Sequence, residues 1–288
     1  MNATRFNFYL VLRCQFAFLP LIGLGRLATI ALLQVARPFR CQGLLLISVL
    51  VSWVGSSVAQ AQPASPTGYL AAVVEKLEEA WPKNHTVNVL FHGHSVPAGY
   101  FKTPAVDSLH AYPNLVRVAL AERFTNAVIN VIITAIGGEA SDQGAARFDA
   151  EVLNHQPDVL FIDYALNDRR IGLEKAKAAW GEMIQKALAA NVKVILLTRT
   201  PDQKAKLDDP ADPLNQHAEQ IRRLAAEYHV GLVDSLAQFK AALAAGAPLT
   251  NLMAQVNHPN AAGHKIVADE LFRWFEQPPS AIAEQRRQ

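Results

Sequence analysis

Cysteine is nearly absent from this chain of 288 residues: there are only two, Cys14 and Cys41, and both lie within the first 61 positions. The rest of the chain therefore contains neither a disulfide bond nor a thiol nucleophile. Residues 1–61 also lack Asp and Glu but contain five Arg, so all 25 acidic residues lie after them. These two parts of the chain differ chemically and require separate interpretations.

The first 61 residues have the pattern of a leader that directs export. Arg37 and Arg40 precede an apolar run at 43–54, and the small residues Ala59 and Ala61 follow it. A basic segment, a short apolar segment and an Ala-x-Ala site are typical of a secretory signal peptide. The apolar run is shorter than the ~20 residues that a membrane-spanning helix needs. We therefore expect residues 1–61 to be a leader that is removed, and the protein to be exported, either periplasmic or secreted.

The 36 residues before Arg37 do not fit this pattern fully, because Arg13 and Arg26 interrupt the apolar stretch Phe8–Val35. Three interpretations stay open: a start codon assigned too early, a longer leader, or a segment inserted in the membrane. Contact with a membrane is expected only through this leader, if it is not cleaved.

The 227 residues that remain (288 less 61) are enough for one sizeable domain, because a chain of this length buries roughly 70% of its unfolded surface. Lys and Arg together number 22 (27 less 5) against 25 acids, so the net charge is −3 and gives no indication of nucleic-acid binding. We divide the chain into a linker and N-terminal helix at 62–86, a domain at 87–277 and a loose tail at 278–288.

Apolar runs of strand length alternate with longer helical patterns along this domain. The runs are rich in β-branched residues and show no polar alternation, which is typical of strands that are covered on both faces. They are Val87–Phe91, Val128–Ile133, Val159–Ile162, Val192–Leu197 and Val230–Val233. The helical patterns are Gly68–Trp81, Tyr112–Phe124, Gln143–His155, Leu173–Ala190, Leu214–Tyr228 and Ala261–Phe275. This alternation predicts an α/β fold, a three-layer α/β/α sandwich around a five-stranded parallel sheet.

Ser95 and His258 are candidates for nucleophilic chemistry. Ser95 ends a His-Gly-His-Ser sequence that directly follows the first predicted strand, and His258 lies far downstream in Asn-His-Pro-Asn. An imidazole that takes the proton of a serine hydroxyl lets the oxygen attack a carbonyl group. Each residue alone also has an ordinary interpretation, Ser95 as a helix cap and His258 as a loop residue with a packing role. Ligands of parallel sheets bind at the carboxyl ends of the strands, where these blocks are expected.

Two further blocks offer groups that can stabilise a developing negative charge. Gly138 follows the second predicted strand, where adjacent glycines allow a backbone N–H to approach a ligand closely. Asn167 follows the third strand, and its side-chain amide can donate to an oxyanion. Taken alone, the first block is an ordinary turn and the second an ordinary helix cap.

Ser95, Gly138, Asn167 and His258, in this order along the chain, resemble the SGNH/GDSL hydrolase (esterase/lipase) family, with residues 136–169 as the best-matching segment. The resemblance implies a flavodoxin-like sandwich. It further implies that Ser95 is the nucleophile and His258 the general base. The oxyanion hole would then consist of the Ser95 N–H, the Gly138 N–H and the Asn167 side chain.

The sequence departs from the family pattern at three points. The family's Gly-Asp-Ser has His94 in place of Asp, and its Gly-x-Asn-Asp reads Ala-Leu-Asn-Asp at 165–168. The family usually has Asp three residues before the histidine, and that position is Gln255. An amide can orient an imidazole but does not stabilise imidazolium by charge. In serine proteases, converting this acid to its amide lowers turnover about 10⁴-fold.

Either another acid replaces Gln255, or the site works as a Ser–His dyad, or it is impaired. Asp234, at the end of the fifth predicted strand, is the first substitute to test, and Glu139 and Asp163 are less favoured. We favour the dyad and expect Gln255 close to His258. An oxygen acceptor should hold the second ring nitrogen: a backbone carbonyl or Gln255 first, Asp234 second.

No metal or organic cofactor is expected. His92 and His94 are two residues apart, but no carboxylate or third histidine lies near them in sequence. The expected partner is a small-molecule or carbohydrate ester, and no nucleic acid.

The sequence thus predicts an exported serine esterase that removes acyl groups, such as acetyl, from a carbohydrate or another small ester. Tyr100, Phe101, Tyr112 and Trp180 are candidates to line a cleft of sugar size. Two alternatives stay open: a lipid esterase or thioesterase of the same family, and a non-catalytic binding protein on the same fold.

Overall fold

The computed structural model describes residues 61–276. The predicted leader, residues 1–61, and the predicted tail, residues 278–288, lie outside this range except for residue 61. Within the described range, no helix combines the length and the apolar character needed to cross a membrane.

Five parallel strands form the central sheet, in the order β2-β1-β3-β4-β5. The strands are β1 (Thr86–Gly93), β2 (Val128–Ile133), β3 (Val159–Asp163), β4 (Lys193–Leu197) and β5 (Gly231–Val233). This is the strand order of flavodoxin-like sheets, in which the chain switches direction between β1 and β3. The predicted fold class is confirmed.

Helices cover both faces of the sheet. They are α1 (Pro66–Tyr69), α2 (Ala71–Glu78), α3 (Tyr112–Arg123), α4 (Ser141–Ala146), α5 (Phe148–Glu151), α6 (Ala165–Asp168), α7 (Leu173–Ala189), α8 (Pro213–Glu227), α9 (Ser235–Ala244) and α10 (Ala261–Phe272). Three short 3₁₀ turns lie at Leu153–His155, Leu249–Asn251 and Arg273–Phe275.

Alternate residues of the buried strands belong to two separate apolar layers. In β1, Val89 and Phe91 pack with α2, α3 and α10, whereas Leu90 packs with α7 and α8 on the other face. The period of two in a strand produces this division. Each fully buried side chain of this size contributes roughly 1.5–3 kcal/mol to folding, so both layers hold the sheet in place.

Several elements differ from the sequence prediction. The pattern at Gln143–His155 is not one helix, because the backbone leaves helical geometry at Arg147 (φ −107°, ψ 6°) between α4 and α5. Helix α9 was not predicted. A two-stranded antiparallel ribbon, β6 (Met253–Gln255) and β7 (His258–Pro259), was not predicted either.

Candidate active site

The loops that follow β1, β2 and β3 lie side by side at the carboxyl edge of the sheet. The His94 N–H donates to the carbonyl of Asp163, the last residue of β3, over 3.2 Å. The Ile136 N–H donates to the carbonyl of Gly93, the last residue of β1, over 3.0 Å. Main-chain hydrogen bonds thus join the segments that contain the predicted residues Ser95, Gly138 and Asn167.

Ser95 and His258 meet at this edge although 163 positions separate them. The Oγ of Ser95 lies 2.9 Å from Nε2 of His258. Both side chains are largely buried, with exposures of 7% and 5%. The distance is within the range for transfer of a proton from a hydroxyl to an imidazole.

The ribbon β6–β7 places Gln255 beside Nδ1, the second ring nitrogen of His258. Gln255 lies opposite His258 in this ribbon, and its Nε2 is 2.7 Å from Nδ1 of the ring. Thr103 fixes the orientation of the amide, because its N–H donates to Oε1 over 3.0 Å and its Oγ1 accepts from Nε2 over 3.1 Å. The predicted proximity of Gln255 is present. However, an amide nitrogen rather than an oxygen faces the ring, because the Thr103 N–H already occupies the oxygen.

A backbone carbonyl supplies the oxygen acceptor. The Phe101 carbonyl hydrogen-bonds the His258 ring and favours its charged form. Burial has the largest effect and lowers the pKa of His258, and the Phe101 carbonyl opposes this. The ring is therefore neutral near pH 7, which is the state that a general base requires.

Asp234 has other partners. Its carboxylate accepts from Arg222 at 2.7 Å and 3.1 Å, from Thr198 at 2.8 Å, and from the Ala237 N–H at the start of α9. None of these bonds leads to His258. The carboxylate of Glu139, the second candidate, pairs with Arg147 at 2.7 Å. Both acids thus have structural partners.

A hydrogen bond links Asn167 to Glu139, the residue that directly follows Gly138. The Asn167 Nδ2 donates to the carbonyl of Glu139 over 2.8 Å, and the Arg170 guanidinium donates to the Gly138 carbonyl. Gly138 has φ +84°, a conformation that favours glycine. Within residues 61–276, neither Gly138 nor Asn167 has a hydrogen bond to Ser95.

Asp163 was a less favoured candidate for the missing acid beside His258, but its carboxylate faces His94, a residue to which the sequence assigned no role. His94 Nδ1 lies 3.4 Å from Ser95 Oγ and accepts the Val96 N–H at 3.2 Å. Its Nε2 lies 3.4 Å from Asp163 Oδ1, a distance typical of an ion pair but long for a hydrogen bond. The substitution of His for Asp in the Gly-Asp-Ser motif was the available signal. The contact with Asp163 depends on the pairing of β1 with β3, which the sequence does not specify.

His92 belongs to a different environment. Its ring bonds Thr134 Oγ1 at 2.8 Å, the Gly144 carbonyl at 3.2 Å and the Tyr164 hydroxyl at 3.1 Å. It shares no partner with His94. In the part of the chain that the structure describes, no group of three or more His, Cys, Asp or Glu is arranged to hold a metal ion.

The predicted aromatic cleft is wrong for two of its four members. Tyr112 and Trp180 are 1% and 0% exposed because their rings pack in the two core layers. Their polar ends bond buried carboxylates, those of Asp163 and Asp168. Tyr100, which is half-buried, does lie beside the site, with its ring centroid 5.9 Å from that of His258.

Several solved structures share this fold. A two-domain esterase active on acetylated mannans matches with a TM-score of 0.61 and 21% identity, over 75% of this chain and 54% of that chain. An acetylxylan esterase from Geobacillus stearothermophilus matches with a TM-score of 0.57 and 21% identity, over 66% of this chain and 94% of that chain. The match to the two-domain esterase thus spans about half its length. At these identities, the likeness concerns the fold.

Three further comparisons were made. A putative GDSL-like lipase from Parabacteroides merdae matches with a TM-score of 0.57 and 17% identity, over 66% of this chain and 95% of that chain. No curated protein matches the chain. The sequence model of the GDSL-like Lipase/Acylhydrolase family matches residues 91–266, which is more than half of the chain and includes the Ser95 and His258 segments. The chain therefore belongs to the GDSL-like lipase/acylhydrolase family of ester-hydrolysing enzymes.

Proposed function

We propose that this protein is an exported serine esterase that removes acyl groups, acetyl in particular, from a carbohydrate or another small ester. The observation that carries the proposal is the 2.9 Å contact between Ser95 Oγ and His258 Nε2 at the carboxyl edge of the sheet. The two residues come from distant parts of the chain, and the contact has the geometry that a serine nucleophile and its base require.

In the proposed reaction, Ser95 Oγ attacks the carbonyl carbon of the ester and its proton passes to His258 Nε2. The Phe101 carbonyl stabilises the imidazolium, since a carbonyl oxygen can accept from a ring N–H but cannot donate. Collapse of the tetrahedral intermediate releases the alcohol, which takes the proton. Water then hydrolyses the acyl-enzyme by the same sequence of steps.

Three donors are proposed for the oxyanion: the backbone N–H groups of Ser95 and Gly138 and the side chain of Asn167. Within the described range, neither of these N–H groups donates to another protein group. The amide nitrogen of Asn167 has two hydrogens, and the bond to Glu139 uses one. That bond fixes the amide and leaves the second hydrogen for the substrate. Donors that are oriented in advance contribute most to acyl-transfer catalysis.

Two observations support an acetylated carbohydrate as the substrate. The two esterases reported above act on acetylated mannans and on acetylxylan according to their descriptions. Tyr100 offers an aromatic surface beside His258, and exposed Ile136 lies in the loop after β2. The same proposal includes the division of the chain into a leader at 1–61, which is removed, and a hydrolase domain at 87–277.

The test uses the full chain and 4-nitrophenyl esters of acetate, butyrate and octanoate, followed by acetylated xylan and mannan with released acetate as the readout. We expect the acetyl ester to be hydrolysed fastest and Ser95→Ala to abolish hydrolysis. Ser235→Ala is the matched control, because Ser235 is also a buried serine and directly begins the helix after β5. Loss of hydrolysis in both variants, or in neither, would contradict the assignment. A preference for octanoate would indicate a lipid esterase.

Export is tested separately, by sequencing the N-terminus of the mature protein from a bacterium that expresses the full chain. We expect the mature protein to begin near residue 62 and to be recovered outside the cytoplasm. An intact N-terminus in the cytoplasmic fraction would contradict this part of the proposal.

A further inference from the structure

Ser95 contacts two imidazoles. Besides His258 at 2.9 Å, its Oγ has His94 Nδ1 at 3.4 Å. His94 is 1% exposed, so water has little access to its ring. The reaction proposed above uses only His258 and leaves the role of this second ring open.

The partners of His94 define its protonation. The Val96 N–H donates to Nδ1 over 3.2 Å, and a ring nitrogen that accepts a hydrogen bond has no proton of its own. In the neutral ring, the proton is therefore on Nε2, which faces Asp163 Oδ1 at 3.4 Å. The Ser95 hydroxyl lies 3.4 Å from the same Nδ1, so it competes with the Val96 N–H for the one lone pair of this nitrogen.

Asp163 is a buried acid whose second oxygen is occupied. The Tyr112 hydroxyl donates to Oδ2 over 3.0 Å. Burial, together with the charge of Asp163, raises the pKa of Tyr112 well above its usual value, so the hydroxyl keeps its proton. The free oxygen of Asp163 faces His94, and a histidine with a carboxylate behind it is the arrangement that orients a catalytic imidazole.

Within residues 61–276, no carboxylate forms an ion pair or a hydrogen bond with His258. The Gln255 amide, fixed by Thr103, directs its nitrogen at Nδ1 of His258 over 2.7 Å. When Gln255 donates to Nδ1, the proton of the neutral ring is on Nε2, and His258 donates to Ser95. In that state, among the groups that residues 61–276 place near Ser95 Oγ, His94 Nδ1 is the ring nitrogen left to accept the hydroxyl proton.

We propose that His94 is a second general base for Ser95, and that Asp163 is the positioning residue that holds His94 in its accepting tautomer. This inference rests on the proposed esterase function. In acylation of an activated ester, Ser95 Oγ bonds to the acyl carbon and its O–H bond breaks. The proton passes to His94 Nδ1, whose hydrogen bond from the Val96 N–H breaks, and the phenolate leaves with the electron pair of the broken ester bond. The family usually has a carboxylate beside the downstream histidine. In this chain, the carboxylate of Asp163 lies instead beside His94, the residue before the serine.

The experiment measures the first turnover of 4-nitrophenyl acetate by stopped flow, using the full chain. The rate at which 4-nitrophenolate is released in the burst reports acylation alone, and this leaving group needs no proton. We expect His258→Ala to lose steady-state turnover but to retain a burst rate at least tenfold above that of Ser95→Ala. Adding His94→Asn to His258→Ala should reduce the burst to the Ser95→Ala level. Asn retains a carbonyl oxygen for the Val96 N–H but accepts no proton.

Asp163→Asn gives an independent readout of the same inference. Its amide would donate toward His94 Nε2 and so favour the opposite tautomer, with a proton on Nδ1. We expect this change to remove the burst of His258→Ala as fully as His94→Asn does, with circular dichroism unchanged. Should His94→Asn fail to fold, this pair of variants still tests the inference.

The outcomes separate the two proposals. If the wild-type chain releases 4-nitrophenolate no faster than Ser95→Ala does, the esterase function itself fails. If the wild type gives a burst but His258→Ala falls to the level of Ser95→Ala, only the second base is refuted. A burst that survives in the double variant His258→Ala/His94→Asn would also refute it.

Discussion

Replacing Gln255 by Glu should strengthen His258 as a base. The two side chains have the same length and shape, so a carboxylate oxygen would occupy the position of Nε2, 2.7 Å from Nδ1 of the ring. The Thr103 N–H would still have an oxygen to bond. The ring proton would then be held on Nδ1, and Nε2 would be free to accept the proton of Ser95.

The size of the expected effect on His258 is estimated from the separation of the two charges and from the exposure of residue 255. Two unit charges about 4 Å apart interact by about 4 kcal/mol at an effective dielectric constant of about 20. Gln255 is partly exposed, so we take half of this, about 2 kcal/mol, to allow for solvent screening. That raises the pKa of His258 by about 1.5 units. If half of the gain is present in the transition state, kcat rises about fivefold.

The assay is the pH dependence of kcat/KM for 4-nitrophenyl acetate. A raised pKa means that His258 is protonated at higher pH, so the acid limb should move upward by about 1.5 pH units. Gln203→Glu is the matched control: Gln203 is exposed, and its backbone N–H bonds the Val256 carbonyl beside the ribbon. A limb that stays in place in Gln255→Glu, or moves equally in the control, would show that His258 does not titrate as the base.

Two further predictions concern charge and burial. Asp234→Asn should keep turnover within a few fold of the parent and lower the free energy of unfolding by about 1–3 kcal/mol, since it breaks the bonds with Arg222; a turnover loss near 10⁴-fold would instead make Asp234 the missing acid. Burial lowers the pKa of His92 to about 3 and that of His264 to about 4. The unfolded chain, with histidine pKa values near 6.5, therefore takes up more protons, and stability should be full above pH 6.5 and fall toward pH 4 by up to about 2.7 kcal/mol per pH unit. Equal urea midpoints at pH 7 and pH 5 would contradict this.

The sheet could be predicted because each strand is an apolar run bounded by polar residues. All five predicted runs overlap the observed strands, and the largest difference at any end is two residues, where Phe91 was expected to end β1 and Gly93 does. The ribbon that holds His258 was not predicted, since strands of three and two residues contain too little pattern. Its register matters most, because it sets Gln255 against the ring.

The candidate site was predicted in part. The order of the polar blocks indicated Ser95 and His258, and their distance agrees with that pairing. The contact of His94 with Asp163 was not foreseen, because it arises from the pairing of Gly93 with Asp163 across two strands that are distant in sequence. Trp180 was misassigned because the sequence does not distinguish an aromatic that lines a cleft from one that packs in the core.

The main-chain bonds that join the loops at the carboxyl edge have a consequence for the evolution of this protein. The bond from the His94 N–H to the Asp163 carbonyl and that from the Ile136 N–H to the Gly93 carbonyl involve no side chain. Substitutions in these loops that keep the backbone conformation therefore leave the positions of the loops unchanged. These main-chain bonds therefore allow related proteins to diverge in loop sequence, and in the molecules they recognise, while the serine keeps its position.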